Sequence, residues 1–194
     1  KLYEMECNNE YTKQILETLG NNFRLEELNA QIKYLSNKNN HTTAHLKQTL
    51  AEISWLAESN YEVYFTPKEE LSQRVIYPRS QSARRGIEDA RFVCFTEEDN
   101  SITYYATYTA FDGNTFLPQL LETKDFLNFK FITLNGKAVK NKGMALFPRK
   151  INGKYAMLSR QDNENIYIMY SDNIHFWQET KQIMRPSYPW EFIQ

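Results

Sequence analysis

Apolar positions along the first sixty residues recur at helical spacing. Tyr11, Ile15, Leu16 and Leu19 share one face of a predicted helix, and Gly20-Asn21-Asn22 supplies its stop. Leu25, Leu28, Ile32 and Leu35 continue the period until Ser36-Asn37-Lys38-Asn39-Asn40 interrupts it. A third stretch carries Leu46, Leu50, Ile53 and Leu56, with Thr42 or Thr43 placed to cap the first free N–H groups. Three short amphipathic helices of this kind can pack as a small bundle.

From Tyr61 the pattern shortens to β-rich runs divided by polar turns. Tyr61–Phe65, Arg91–Phe95, Ile102–Ala110, Leu117–Thr123, Phe129–Thr133, Lys154–Ser159 and Asn165–Tyr170 read as strands. Glu97-Glu98-Asp99-Asn100, Asp112-Gly113-Asn114, Asn135-Gly136 and Asn152-Gly153 read as hairpin or loop signals. The β part also echoes itself. Tyr105-Ala106-Thr107-Tyr108-Thr109 returns fifty residues later as Tyr155-Ala156-Met157-Leu158-Ser159, each followed by a strand and an aromatic-tipped turn. A four-stranded unit recurring at roughly 40–50 residues is the mark of a β-propeller. A β-sandwich of similar hairpins is the alternative.

Charge narrows the ligand class. With 23 basic against 24 acidic residues, the chain has no basic field for nucleic acid or an anionic membrane. No apolar run approaches the roughly 20 residues that cross a bilayer. The aromatic share, with 13 Tyr, 12 Phe and 3 Trp, suits a folded β-rich body and a neutral polar ligand such as a sugar. Cys7 and Cys94 lie far apart without metal or redox spacing, which suggests free thiols in a reducing, cytoplasmic compartment. His41 and His45 stand at i, i+4 without a third ligand, and His175 sits in an aromatic turn, so no metal is expected. With six glycines and no phosphate-cradling loop, no nucleotide cofactor is expected either. The chain opens without an initiator Met or signal segment and closes on apolar Pro189-Trp190-Glu191-Phe192-Ile193-Gln194, so a piece of a longer protein is expected.

Two charged clusters could carry chemistry. In Arg84-Arg85-Gly86-Ile87-Glu88-Asp89-Ala90-Arg91, adjacent carboxylates flanked by arginines could tune a general acid; a solvated charged turn is the plainer reading. Lys142 precedes Met144-Ala145-Leu146-Phe147-Pro148 and Arg160 ends a strand; brought into one cleft, the two cations could hold a phosphate. Taken singly, each reads as a surface residue.

Four segments occur in a specific order: Gly86-Ile87-Glu88-Asp89-Ala90-Arg91, Tyr104 to Gly113, Lys142 to Tyr155, and Leu158-Ser159-Arg160. Together they resemble glycoside hydrolase family 130, over roughly residues 60–190. The resemblance implies a mainly β chain, part of a five-bladed β-propeller, with residues 1–58 a helical segment inserted between blades and 59–194 about two to three blades. It implies inverting phosphorolysis of β-mannosides to mannose 1-phosphate, with inorganic phosphate as co-substrate. Asp89 falls on the proton donor of the Glu-Asp-(Pro/Ala)-Arg motif, and the proton travels through a sugar hydroxyl. Lys142 and Arg160 fall on phosphate ligands, and Glu88, Arg91, Tyr108 and Asp112 on substrate contacts. Ala90 stands where Pro is commoner, and Gly143 where many members carry a polar residue. Two alternatives stay open: a β-mannoside hydrolase on the same scaffold, which needs a second carboxylate to activate water, and a non-catalytic glycan-binding propeller whose helices serve homo-oligomerisation or partner binding. Alone, two to three blades would lack a closed channel and are expected to be inactive.

Overall fold

Three helices form where the apolar period demands them. The structure, a computed structural model, describes residues 1–38 and 43–191. Helix α1 spans Glu10–Leu19; the Asn9 side chain accepts from the Tyr11 and Thr12 N–H groups, and Gly20 ends the helix at φ +71°. Helix α2 spans Leu25–Lys38 and so runs three residues past the expected break at Ser36. Ser36, Asn37 and Lys38 cost little there, because Leu35 above them is already buried and Lys38 suits the negative helix end. Helix α3 spans Ala44–Ser59, capped by Thr43, whose hydroxyl accepts from Leu46 N–H at 3.2 Å. Thr42, His41, Asn39 and Asn40 lie outside the described residues, as do Phe192, Ile193 and Gln194. Ile15, Leu28, Leu35, Leu46, Leu50 and Ile53 form the core of this unit. Cys7 is buried there, its thiol donating to the Glu52 carboxylate and pushed up to about 12, chiefly by burial; Cys94 is exposed, and both are free.

The chain divides into two compact units between Ser59 and Asn60. In the second, β1 (Tyr61–Tyr64), β2 (Gly86–Thr96), β3 (Ile102–Phe111), β4 (Phe116–Thr123) and β5 (Asn128–Thr133) form an antiparallel sheet in the order β1-β5-β4-β3-β2. A second antiparallel sheet runs β6 (Ala145–Leu146), β7 (Tyr155–Ser159), β8 (Ile166–Ser171) and β9 (Thr180–Met184) in sequence order. Strands β2–β5 and β6–β9 are therefore consecutive four-stranded meanders. The fifty-residue echo places β3 and β7 second in each. Strands β6 and β9 escaped the sequence pattern for plain reasons: β6 has two residues, and all five residues of β9 are exposed, so no alternation marks them.

Strand β3 shows how the sheets are held. Its neighbours alternate between two cores, as the two-residue strand period requires. Tyr105 joins Phe95, Leu120, Leu146, Met157, Met169 and Trp177 between the sheets. Ala106, Tyr108 and Ala110 face the opposite way, into a core with Leu121, Phe129 and Phe131. Trp177 is fully buried and donates its indole N–H to Ile174 O at 2.8 Å.

Asn135-Gly136 is not a hairpin. Its backbone docks instead on the Trp177 loop: Asn135 N–H donates to His175 O at 2.9 Å, and Trp177 N–H to Asn135 O at 2.7 Å. Asn152-Gly153 is a tight turn with both residues at positive φ, closing the Ile151–Lys154 bridge.

Aspartates fix three of the turns. Asp112 accepts from Asn114 and Thr115 N–H between β3 and β4; Asp162, fifty residues later, accepts from Glu164 and Asn165 N–H between β7 and β8. Asp125 accepts from Leu127 and Asn128 N–H and from the Asn128 side chain. The Asn128 and Leu127 N–H groups, with the Asn128 amide, hold its carboxyl down at about 2. A depressed folded value means the stabilisation is complete above the unfolded pKa of about 3.9 and fades as pH falls through the folded one. The melting-temperature gap between wild type and Asp125→Ala is therefore expected to be widest above about pH 4 and to close towards pH 2. A gap independent of pH would show that the turn does not depend on the carboxylate charge.

Candidate active site

The charged motif lies inside a strand, not before it. Strand β2 begins at Gly86 and runs through Glu88-Asp89-Ala90-Arg91, whereas the pattern placed the strand from Arg91 onward. A bulge makes this possible and also hides it from periodicity. Glu88 pairs with Thr109 and Arg91 with Thr107, so Asp89 and Ala90 together face one residue, Tyr108. Residues three apart on a regular strand point to opposite faces. The extra residue puts Glu88 and Arg91 on the same face, that of Thr107 and Thr109.

That face meets the segment Asn141–Met144. Lys142 Nζ stands 3.4 Å from Glu88 Oε1, and Arg91 Nη1 donates to Gly143 O at 3.0 Å. The Thr107 hydroxyl donates to Met144 O, fastening the same segment to β3. Arg160, buried at the end of β7, donates from Nε to Lys142 O at 3.3 Å, and Asn141 Nδ2 returns a bond to Arg160 O at 3.0 Å. Glu88, Arg91, Lys142 and Arg160 thus form one connected cluster between the two sheets. The Glu88–Lys142 pair is partly exposed and stabilises by at most about 1 kcal/mol. Its value is position.

Asp89 sits at the bulge with φ +56°, a conformation that Asp tolerates better than most side chains. It lines an open concavity of about 330 Å³ with Glu88, Ala90, Ile76, Phe92 and Tyr108. Tyr108 is buried beneath this floor, edge-on to Phe131 at 5.8 Å between centroids, and burial pushes its phenol up. Asp112 stands apart at the hairpin turn, where the Thr115 and Asn114 N–H groups hold its carboxyl below the usual carboxylate range. Its carbonyl accepts from Arg84 Nε at 2.6 Å.

Sequence reasoning missed Asn141 and Thr107, whose bonds fix the segment but whose residue types carry no spacing signal. It noticed Gly143 only as a departure from the family pattern. Gly143 adopts φ +78°, and a Cβ there would lie 2.6 Å from Arg160 Nε. Gly143→Ala is expected to destabilise by about 1–3 kcal/mol, from backbone strain and the displaced guanidinium. A lowered urea midpoint checks this; an unchanged midpoint would show that Arg160 moves aside freely.

Among the described residues, no group of three or more His, Cys, Asp or Glu side chains could hold a metal ion. Among them too, no helix is long and apolar enough to cross a membrane.

Known proteins are similar to parts of this chain. A 1,2-beta-oligomannan phosphorylase of Thermoanaerobacter sp. is 34% identical over 122 residues, covering 60% of this chain and 38% of that protein. A beta-1,4-mannooligosaccharide phosphorylase of Ruminococcus albus is 32% identical over 105 residues, covering 51% of this chain and 30% of that protein. The structure of a beta-1,2-mannobiose phosphorylase from Listeria innocua, in complex with beta-1,2-mannobiose, is similar at TM-score 0.47 and 30% identity, covering 58% of this chain and 32% of that one. The chain thus spans less than two fifths of the length of these curated relatives. The profile of glycoside hydrolase family 130, described as beta-1,4-mannooligosaccharide phosphorylase, matches residues 31–192, from within α2 almost to the end. The chain belongs to glycoside hydrolase family 130.

Proposed function

We propose that this protein is a β-mannoside phosphorylase, releasing mannose 1-phosphate by inverting phosphorolysis, with Asp89 as proton donor. A phosphate oxygen attacks the anomeric carbon as the bond to the glycosidic oxygen breaks. The leaving oxygen takes the Asp89 proton, relayed through a sugar hydroxyl. Lys142 and Arg160 hold the phosphate, Arg160 by paired hydrogen bonds and Lys142 as a point charge. Glu88, Arg91, Tyr108 and Asp112 contact or shape the sugar site. Of these, Asp112 has the weakest case, because its carboxylate is engaged in the turn.

The observation that carries this reading is the cluster of Lys142 and Arg160 against the Glu88–Arg91 bulge that presents Asp89. An inverting phosphorylase needs one acid and a cationic seat for its nucleophile; the bulge offers Asp89 for the first, and the segment packed against it offers Lys142 and Arg160 for the second. The two four-stranded meanders are read as blades of a five-bladed propeller, with residues 1–58 as a helical insertion between blades and 59–194 as the partial propeller. A hydrolase or a non-catalytic glycan-binding protein on the same scaffold is the rival. Incubating the full-length protein with β-mannooligosaccharides, with and without inorganic phosphate, separates them. Mannose 1-phosphate formed only with phosphate is expected. Free mannose formed without phosphate would favour the hydrolase, and sugar binding without turnover the non-catalytic protein.

A further inference from the structure

We infer that Phe116, backed by Phe111, is a positioning residue that holds the Lys142 ammonium in place for phosphate; this rests on the phosphorylase reading above. Phe111 and Phe116 are the last cross-strand pair of the β3–β4 hairpin. Their rings stack at 4.6 Å between centroids with planes 20° apart. Phe111 thus covers one face of Phe116, and Lys142 Nζ stands over the Phe116 ring, 5.2 Å from its centroid. Neither phenylalanine belongs to the ion-pair cluster. The Asp112 turn, by closing this hairpin, sets the register that brings the two rings together.

The ring does what Glu88 cannot. A Lys side chain has four rotatable bonds, and an ammonium aimed by one exposed carboxylate is weakly restrained. Glu88 also competes with phosphate, since both are anions seeking the same cation. Phe116 attracts the ammonium through its negative ring face without carrying charge. It can keep Lys142 in place while the cation exchanges Glu88 for phosphate. Phe111 fixes the ring plane, because a stacked ring cannot turn without breaking its own contact.

The test uses Phe116→Leu, which keeps apolar bulk but removes the ring face, and Phe116→Tyr, which keeps it. Lys142→Ala marks the loss of the cation itself. Two quantities are read: the ring-current shift of the Lys142 Cε–Hε resonances, and the affinity for inorganic phosphate by calorimetry. Phe116→Leu is expected to abolish the ring-current shift and weaken phosphate about 3- to 10-fold. Phe116→Tyr is expected to restore both, which a merely structural loss would not allow. If Phe116→Leu leaves the Lys142 resonances or the phosphate affinity unchanged while Lys142→Ala weakens binding, the positioning role of Phe116 is wrong and the phosphate site stands. If Lys142→Ala also leaves phosphate binding unchanged, the assignment of Lys142 falls, and the inference with it. Failure of Phe116→Tyr to restore either quantity overturns the ring-face argument.

Discussion

Replacing Asp89 by asparagine is expected to lower phosphorolysis by about 10²- to 10⁴-fold, the usual loss when a positioned general acid is removed. Asparagine is the right substitution for a structural reason. Asp89 holds φ +56° at the bulge, and Asn is among the few side chains at ease there. The bulge, and with it the shared face of Glu88 and Arg91, should survive. Thermal unfolding is expected to shift by no more than about 0.5 kcal/mol, since the residue is exposed. Loss of activity with an unchanged melt assigns the proton donor. Full phosphate-dependent activity in Asp89→Asn would remove Asp89 from the mechanism.

Gly136→Ala is expected to destabilise the second unit by about 3 kcal/mol or more, through overpacking and backbone strain together. A Cβ at this position would lie 2.1 Å from the Trp177 carbonyl oxygen and 2.6 Å from its carbon, and φ is +108°. The obstacle is backbone, so no side chain can swing away. The displaced contact also carries the Asn135 and Ala138 hydrogen bonds to the Trp177 loop. Urea unfolding measures the loss. A midpoint within experimental error of wild type would mean that the Trp177 loop is not held by this approach.

The two substitutions mark the limit of what the sequence could disclose. The helices and most strands were legible because their apolar residues keep a regular period over ten or more positions or alternate cleanly. The fifty-residue echo is real in structure: it aligns β3 with β7 and the Asp112 turn with the Asp162 turn. Asn135-Gly136 was legible as a hairpin or loop, because Asn-Gly is a strong local turn signal, and it is a loop. Its actual partner, Trp177, lies forty-one residues away, and no local pattern announces a backbone approach of that range. The site divides in the same way. The residues Glu88, Asp89, Arg91, Lys142 and Arg160 were visible as charged types in recognisable motifs. Their geometry was not, because a one-residue bulge reverses the face of everything after it. Thr107, Asn141 and Phe116 contribute through a hydroxyl, an amide and a ring face, which look in sequence like any strand or loop residue.

Asp89 and the Lys142–Arg160 pair are proposed to serve one reaction centre. A crystal structure of the Asp89→Asn protein with β-mannobiose and phosphate tests this most directly. Phosphate is expected within hydrogen-bond distance of Lys142 Nζ and the Arg160 guanidinium, with the sugar between it and residue 89. Phosphate bound elsewhere, or a sugar seated away from residue 89, would contradict it.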